Sequence, residues 1–287
     1  MQTREVKTVE DARRIVEERQ LKHVKVGLFD NDGVLRGKYM SREKFFSSLE
    51  KGFAFCDVVL GWDNQDQLYD NVSYTGWHTG YPDAPVRIVP ESCRELPLEE
   101  NGLFFLAEFD RQAAEICPRN VLARVIERAA QMGFRPRAAF EYEFFLFEET
   151  PHSVREKNYR DLRPLSPGWV GYSVLRNSVH ADLYGQILSL CEEMDFPLEG
   201  IHTETGPGVL EAAIAVDAAA AAADKAALFK TFIKVLAQQN GLMATFMARW
   251  SPDYPGQSGH IHLSLQLADD GVSAFYDPDA EHGMSAL

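Results

Sequence analysis

Apolar residues recur at helical spacing over residues 8–20 (Val9, Ala12, Ile15, Val16), behind a threonine suited to cap the helix. From Leu21 the period shortens to two. Val24, Val26 and Leu28 share a face, and Asp30-Asn31-Asp32-Gly33 predicts a tight turn before a return strand over 34–39. Ser41 opens a second helix that closes near Gly52. Residues 56–90, rich in Gly, Asn, Asp and aromatics, read as an irregular stretch too long for a plain connector. Such loops are often functional or lie across a partner subunit.

A strand is predicted over 103–109, and Cys117-Pro118 marks a break. Pro118 suits the first turn of a helix running to Met132 and stopped by Gly133. Then come a strand over 137–147, a helix over 180–194, strands over 198–204 and 208–216, and a long Ala-rich helix over 217–240. Two strands follow, 242–250 and 259–265. No internal repeat is present. The order predicts an α+β chain: a mixed N-terminal module over 1–112, then a domain over 113–287 built on antiparallel strands. Glu281-His-Gly-Met-Ser-Ala-Leu287 reads as the opening of an element, so the chain is expected to stop inside a domain.

Hydrophobic residues make up 45% and aromatics 11%, which suits a folded globular chain. The net charge of −14 (29 Lys and Arg against 43 Asp and Glu) argues against nucleic acid or an anionic membrane as partner, because no basic face can release counterions. No apolar run approaches the ~18 residues of a membrane span, and the charged N-terminus lacks a signal-peptide core. Cys56, Cys93, Cys117 and Cys191 show no CxxC spacing and read as reduced thiols of a cytoplasmic protein.

The chemistry concentrates in three segments. In Phe140-Glu-Tyr-Glu-Phe-Phe-Leu-Phe147, alternation puts Glu141 and Glu143 on one face, about 6–7 Å apart along the strand. Phe140, Tyr142, Phe144 and Leu146 take the core face. Two partly buried carboxylates side by side call for a cation or a shared proton; an exposed edge strand with salt bridges is the plain alternative. In Glu199-Gly-Ile-His-Thr-Glu204-Thr-Gly-Pro-Gly-Val-Leu-Glu211, Glu204 and Glu211 flank a Gly-Pro-Gly turn, where cross-strand pairing can bring them onto one face; taken alone the segment reads as an ordinary Gly-Pro turn with polar edges. In Gly259-His-Ile-His-Leu-Ser264, His260, His262 and Ser264 share a face. Oxygen-rich donors with histidine suit Mg²⁺ or Mn²⁺, and paired divalent ions commonly clamp phosphate oxygens. No GxxxxGK[ST] loop is present. The residues alone thus support metal-assisted phosphoryl chemistry, with hydrolase and ligase both open.

Taken in order, these motifs resemble those of the glutamine synthetase family. Glu141-Tyr-Glu143-Phe-Phe-Leu-Phe is similar to its E-x-E-F-F-L-F strand. Glu204-Thr-Gly-Pro-Gly-Val-Leu-Glu211 resembles its E-x-x-P-[GA]-Q-x-E segment. Gly241-Leu-Met-Ala-Thr-Phe-Met247 is similar to G-x-x-A-T-F-M, and Gly256-Gln-Ser-Gly-His-Ile-His-Leu-Ser264-Leu resembles G-S-G-M-H-x-H-x-S-L. The resemblance implies an N-terminal β-grasp module followed by a catalytic domain with an antiparallel sheet around a funnel, incomplete at its C-terminus. It implies ATP-dependent joining of glutamate to ammonia or an amine through γ-glutamyl phosphate, with two or more Mg²⁺ or Mn²⁺ ions. By position, Glu143, Glu204 and Glu211 would hold the metal near glutamate, and Glu141 and His260 the ion on the ATP phosphates. Glu199, His262 and Ser264 would lie along the nucleotide, and the Gly256 backbone would line the glutamate pocket. Asp63, with Asp57 as runner-up, would bind ammonium and take its proton. Self-association into a double-ring homo-oligomer is also implied, with the N-terminal module of one subunit covering the next.

The sequence departs from the family pattern where Asn-Gly becomes Pro255-Gly256, where Gln becomes Val209, and where Lys-Pro becomes Arg249-Trp250. The family's remaining arginines, flap glutamate and final metal carboxylate come after residue 287. The expectation is therefore either a fragment or a shortened homolog. A γ-glutamyl ligase for a polyamine or other amine is the alternative to ammonia as acceptor, and a non-catalytic assembly or regulatory homolog is the further one.

Overall fold

The computed structural model describes residues 1–287 and divides into two compact units: Met1–Arg128 with Glu193–Asp195, and Ala129–Glu192 with Phe196–Leu287.

In the first unit, helix α1 (Val9–Glu18) starts at a reciprocal cap: Thr8 Oγ1 accepts from the Asp11 amide, and the Asp11 carboxylate accepts from the Thr8 amide. Strands β1 (His23–Phe29) and β2 (Leu35–Ser41) form the expected hairpin. Its turn is held by the fully buried Asp30, which accepts from the Asp32 and Val34 amides and pairs with Arg36 Nε at 2.8 Å. Helix α2 (Arg42–Lys51) is capped by Ser41 and ends at Gly52. Strands β3 (Phe53–Cys56), β4 (Asp83–Ile88), β5 (Arg94–Leu96) and β6 (Gly102–Phe109) complete the sheet. Its order is β2-β1-β6-β4-β3, with β1 parallel to β6 and β5 also paired to β6. The sheet and helices close over Val24, Val26, Leu28, Phe45, Phe105 and Phe109.

The stretch 56–90 is thus not wholly irregular. Ala84, Val86 and Ile88 alternate inward along β4. Pro85 disguised that strand, since proline in a ladder normally argues against one; here its carbonyl still accepts from the Asp110 amide at 2.9 Å.

After helix α3 (Pro118–Gln131) comes strand β7 (Phe134–Phe147), the spine of the second unit. Helices α4 (Pro151–Glu156), α5 (Val174–Val179) and α6 (Ala181–Glu193) precede the hairpin of β8 (Leu198–Thr203) and β9 (Val209–Ile214). Strand β10 (Asp217–Ala218), helix α7 (Ala219–Gln239) and strands β11 (Met243–Thr245) and β12 (Gly259–Leu267) follow. All four of β9, β10, β11 and β12 pair antiparallel with β7. Register puts β12 and then β11 along one edge, and β10 and then β9 along the other.

Each face of β7 has its own packing. On one, Phe229 of α7 is fully buried, its ring 5.9 Å from Phe144 and 6.1 Å from Tyr142, with Phe196 and Phe246 alongside. On the other, Phe145 and Phe147 are buried with Val209 against Leu162, Met243 and Trp250. The Ala-rich start of α7 lets Ala222 and Ala226 pack closely.

Three boundaries differ from the sequence expectation for identifiable reasons. Asp217 and Ala218 pair with β7 rather than opening the helix, with Asp217 held by Lys225 at 2.8 Å. The 180–194 helix is preceded by a separate turn, α5, broken at His180. The strand expected over 242–250 ends at Thr245, because the Gln257 side-chain amide donates to the carbonyls of Thr245 and Met247 and bends the chain away. The four cysteines are unpaired. No helix is long and apolar enough to cross a membrane.

Just past β7, Glu149 is 3% exposed and fastens the segment that returns to the strand end. It accepts from Ser153 Oγ at 2.7 Å and the Arg163 amide at 3.0 Å, and pairs with Lys157. Burial alone would raise its pKa, but these donors, Lys157 foremost, outweigh it and lower it from 4.5 to about 2. The depressed folded value stabilises fully above the unfolded pKa and is lost as pH falls through the folded one. Wild type should therefore exceed Glu149→Gln by about 2 kcal/mol at neutral pH. Urea melts across pH should show that margin shrink between about pH 4.5 and 2; a margin constant down to pH 2 would refute the assignment.

Candidate functional site

The candidate site is the face of β7 that carries its odd-numbered residues, and strand register assembles it. Glu143 stands opposite Glu211 on β9, and Glu141 opposite Ala213. Glu141 is also opposite His260 on β12, with Ala139 opposite His262 and Arg137 opposite Ser264. On the outer strand, His202 is opposite Glu211. Period-two alternation along four neighbouring strands thus gathers acids and imidazoles on one surface.

The contacts are specific. Glu141 Oε2 lies 3.1 Å from His260 Nδ1 and 3.1 Å from His262 Nε2. Glu143 accepts from the Ser258 amide at 3.1 Å and its hydroxyl at 3.2 Å. Ser258 is positioned by the buried Gln257, whose backbone amide donates to the Ala248 carbonyl at 2.7 Å. His202 Nδ1 sits 3.1 Å from the Thr203 carbonyl oxygen. With Nδ1 turned to that carbonyl, Nε2 is the nitrogen facing Glu211, at 3.7 Å.

Two overlapping triads have ligand atoms all within 4.8 Å of one another: Glu141, Glu211 and His260, and His202, Glu204 and Glu211. Glu204 Oε2 is buried without a hydrogen-bond partner. A buried carboxylate oxygen left unpaired is unfavourable unless a cation completes it, so the donor set fits a hard divalent ion. The acids are also driven apart electrostatically. The hydrogen bond from His262 is the foremost cause holding Glu141 below the usual carboxylate range. Burial, reinforced by Glu141, Glu143 and Glu204, raises Glu211 despite His202.

The other candidates fall into place around this face. Arg137, Glu199, His262 and Ser264 line a cavity of about 330 Å³ that reaches Glu141. Gly256 lies in the loop before β12, where a Cβ would stand 2.8 Å from the Ala248 carbonyl oxygen. Glu204 and Glu211 come within ligand reach of each other at this hairpin, although the residue in register with Glu211 is not Glu204. Glu204 sits at the turn, its amide donating to Val209, and the partner of Glu211 is His202. Gly208 shapes that turn at φ +69°, where any side chain would strike the Leu146 carbonyl at 2.5 Å. Asp63 and Asp57 belong to the first unit. Asp63 Oδ1 accepts from the Gln65 and Gln67 amides of its own loop. Asp57 is buried, accepts from Thr75 Oγ1 at 2.6 Å and is pushed up by burial. A larger hollow of about 620 Å³ in the first unit is bordered by the Lys25–Glu99 ion pair, but it holds no cluster of metal-ligating side chains.

Sequence reasoning did not single out His202, Ser258 or Tyr172, whose ring stacks on His202 at 4.3 Å. The signal for His202 was available, two residues before Glu204 on the same strand face. Nothing in the sequence marked Tyr172, which arrives through a loop contact of its amide with the Thr203 carbonyl.

Comparison with known proteins bears on this site directly. The family profile described as "Glutamine synthetase, catalytic domain" matches residues 115–287. "Type-1 glutamine synthetase 2" of Dictyostelium discoideum is 42% identical over 267 residues, covering 92% of this chain and 51% of that protein. "Glutamate--isopropylamine ligase" of a Pseudomonas species is 33% identical over 288 residues, covering 98% and 62%. A solved structure titled "GmaS/ADP complex-Conformation 1" shares the fold at a TM-score of 0.79 with 22% identity, covering 96% of this chain and 59% of that one. The chain therefore spans between half and two thirds of the length of these relatives.

Proposed function

This chain belongs to the glutamine synthetase family, and we propose that it carries the metal and nucleotide face of an ATP-dependent carbon–nitrogen ligase. The reaction is the joining of the glutamate γ-carboxylate to ammonia. The observation that carries the reading is the convergence of Glu141, Glu143, Glu204, Glu211, His202 and His260 on one sheet face. A cavity beside it is lined by Glu199, His262 and Ser264.

In this reading the acids and imidazoles hold two or more Mg²⁺ or Mn²⁺ ions, which supply charge neutralisation for phosphate oxygens when bound. The chain's own residues do the rest. His202 presents Nε2 because its other nitrogen is turned to a carbonyl, and Ser258 fixes the Glu143 carboxylate. Glu199, His262 and Ser264 orient ATP so that a γ-carboxylate oxygen of glutamate attacks the terminal phosphorus, expelling ADP. The amine lone pair then attacks the acyl carbon of γ-glutamyl phosphate, and phosphate leaves with the C–O electron pair. Asp63 accepts the proton that ammonium must lose first, and the Gly256 backbone lines the glutamate pocket.

The double-ring assembly, in which the first unit of one subunit covers the next, belongs to the same proposal, as does the division near residue 112. So does a β-grasp reading of the first unit, supported by its parallel central pair β1 and β6 and by helix α2 after the opening hairpin. A larger amine in place of ammonia is the second reading. It is favoured by Pro255 where the family pattern has Asn, and by the amine acceptor for which the Pseudomonas relative is named.

The protein produced from its native locus, given Mg²⁺, ATP and glutamate, should release phosphate only when ammonia or an amine is added. Mass spectrometry should find the γ-glutamyl amide, and the amine giving the highest kcat/KM names the acceptor. Divalent-ion binding without phosphate release across the whole amine panel would reject the ligase reading in favour of an assembly or regulatory homolog.

A further inference from the structure

The carboxylate face has a second, positively charged end. Arg137 precedes Glu141 by four residues on the same face of β7, about 13 Å away at a strand rise of about 3.3 Å per residue. Between them on this face of β7 stands only Ala139, with His262 beside it on β12, while Ala213 on β9 stands beside Glu141, so β7 itself gives the groove a methyl-group floor there. Arg137 is in register with Ser264 on one side and Ala218 on the other. It is half-buried, and no ion pair engages it. Asp217 feels its charge but gives its own ion pair to Lys225. A guanidinium withdrawn from water without an acid partner is poised for a ligand.

We propose that Arg137 recognises the nucleoside end of the nucleotide, with its guanidinium plane lying against the base. The proposal rests on reading the groove as a nucleotide site. The charge order sets the direction: phosphates go with the cations at Glu141, and an extended triphosphate carries its base away from them, over the Ala139 floor toward Arg137. A guanidinium stacks on aromatic faces and donates in a fixed fork, whereas an ammonium offers only a point charge. Neither composition nor motif marked Arg137. It becomes visible only when register puts it beside Ser264.

The test is titration calorimetry of the 287-residue chain in excess Mg²⁺, using two ligands that share phosphates and differ in the nucleoside: ATP and inorganic tripolyphosphate. Arg137→Ala should weaken ATP about tenfold and leave tripolyphosphate within twofold. Arg137→Lys should recover only a minor part of the loss. Arg137→Gln, which keeps much of the side-chain length, should behave like the alanine variant with an unchanged thermal midpoint, separating recognition from folding. Equal losses for both ligands would make Arg137 a phosphate contact and overturn the proposal. Undiminished ATP affinity in all three variants would overturn it while leaving the nucleotide reading intact. Wild-type chain that binds neither ligand would remove the nucleotide reading, and this proposal with it.

Discussion

Replacing Glu141 with alanine is expected to lower the affinity of the chain for Mn²⁺ about 100-fold or more. Its Oε2 atom is the common neighbour of two imidazoles, 3.1 Å from His260 Nδ1 and 3.1 Å from His262 Nε2, and it belongs to one of the two ligand triads. Its loss removes a donor and also the acid that orients both rings; orienting partners of metal ligands alone are worth 10–100-fold. Glu141→Gln keeps the shape and one acceptor oxygen, so it should fall between wild type and alanine. Manganese EPR or calorimetry would read the change, and a loss of less than about threefold would show that the cluster holds no ion through this residue. Because Glu141 is held low while Glu211 is raised, acidification should protonate Glu211 before Glu141. The alanine variant should thus keep a pH-dependent residual affinity.

The second large effect is on stability. Phe229→Ala should destabilise the second unit by about 4 kcal/mol, within the range for truncating a buried phenylalanine. The ring is fully buried and meets Tyr142, Phe144, Phe196 and Phe246 within 6.3 Å. Little can collapse into the space it leaves, because the opposing wall is the bonded strand β7. Phe229→Leu should cost about 1–2 kcal/mol. Denaturant melts followed by near-ultraviolet circular dichroism would measure both, and an alanine cost below about 1.5 kcal/mol would mean that the helix repacks. Since Tyr142 and Phe144 alternate with Glu141 and Glu143 on one backbone, the alanine variant should also weaken metal binding without touching a donor.

Much of this face was legible because a strand writes its two sides at a period of two. Glu141 and Glu143 alternate with Phe140, Tyr142 and Phe144, and His260, His262 and Ser264 alternate with Ile261 and Leu263. Either segment read alone yields its polar side. What alternation cannot give is the partner. The pairing of Glu211 with His202 rather than Glu204 depends on where the Gly-Pro-Gly turn places its last hydrogen bond. Strand β11 stops early for a similar reason: a side chain twelve residues on, Gln257, takes the Thr245 carbonyl. Strand β4 was hidden by Pro85. Ser258 and Arg137 gained meaning only from register, and Tyr172 from a loop that folds back.

Strand β7 is bonded along both edges and covered on one face by α7. Backbone amides in such a strand exchange with solvent only when the unit opens cooperatively, whereas exposed loop amides exchange through small local fluctuations. Glu141 and Glu143 therefore share the opening free energy of the whole unit. The loop through Pro255 and Gly256, held by Gln257 and by Arg249 on the carbonyls of Ser251, Pro252 and Tyr254, opens on a separate free-energy scale. The backbone that carries the carboxylates and the adjoining rim are thus joined chiefly where Ser258 grips Glu143, so the rim at Pro255 can be altered with Glu141 left in place provided that grip is kept.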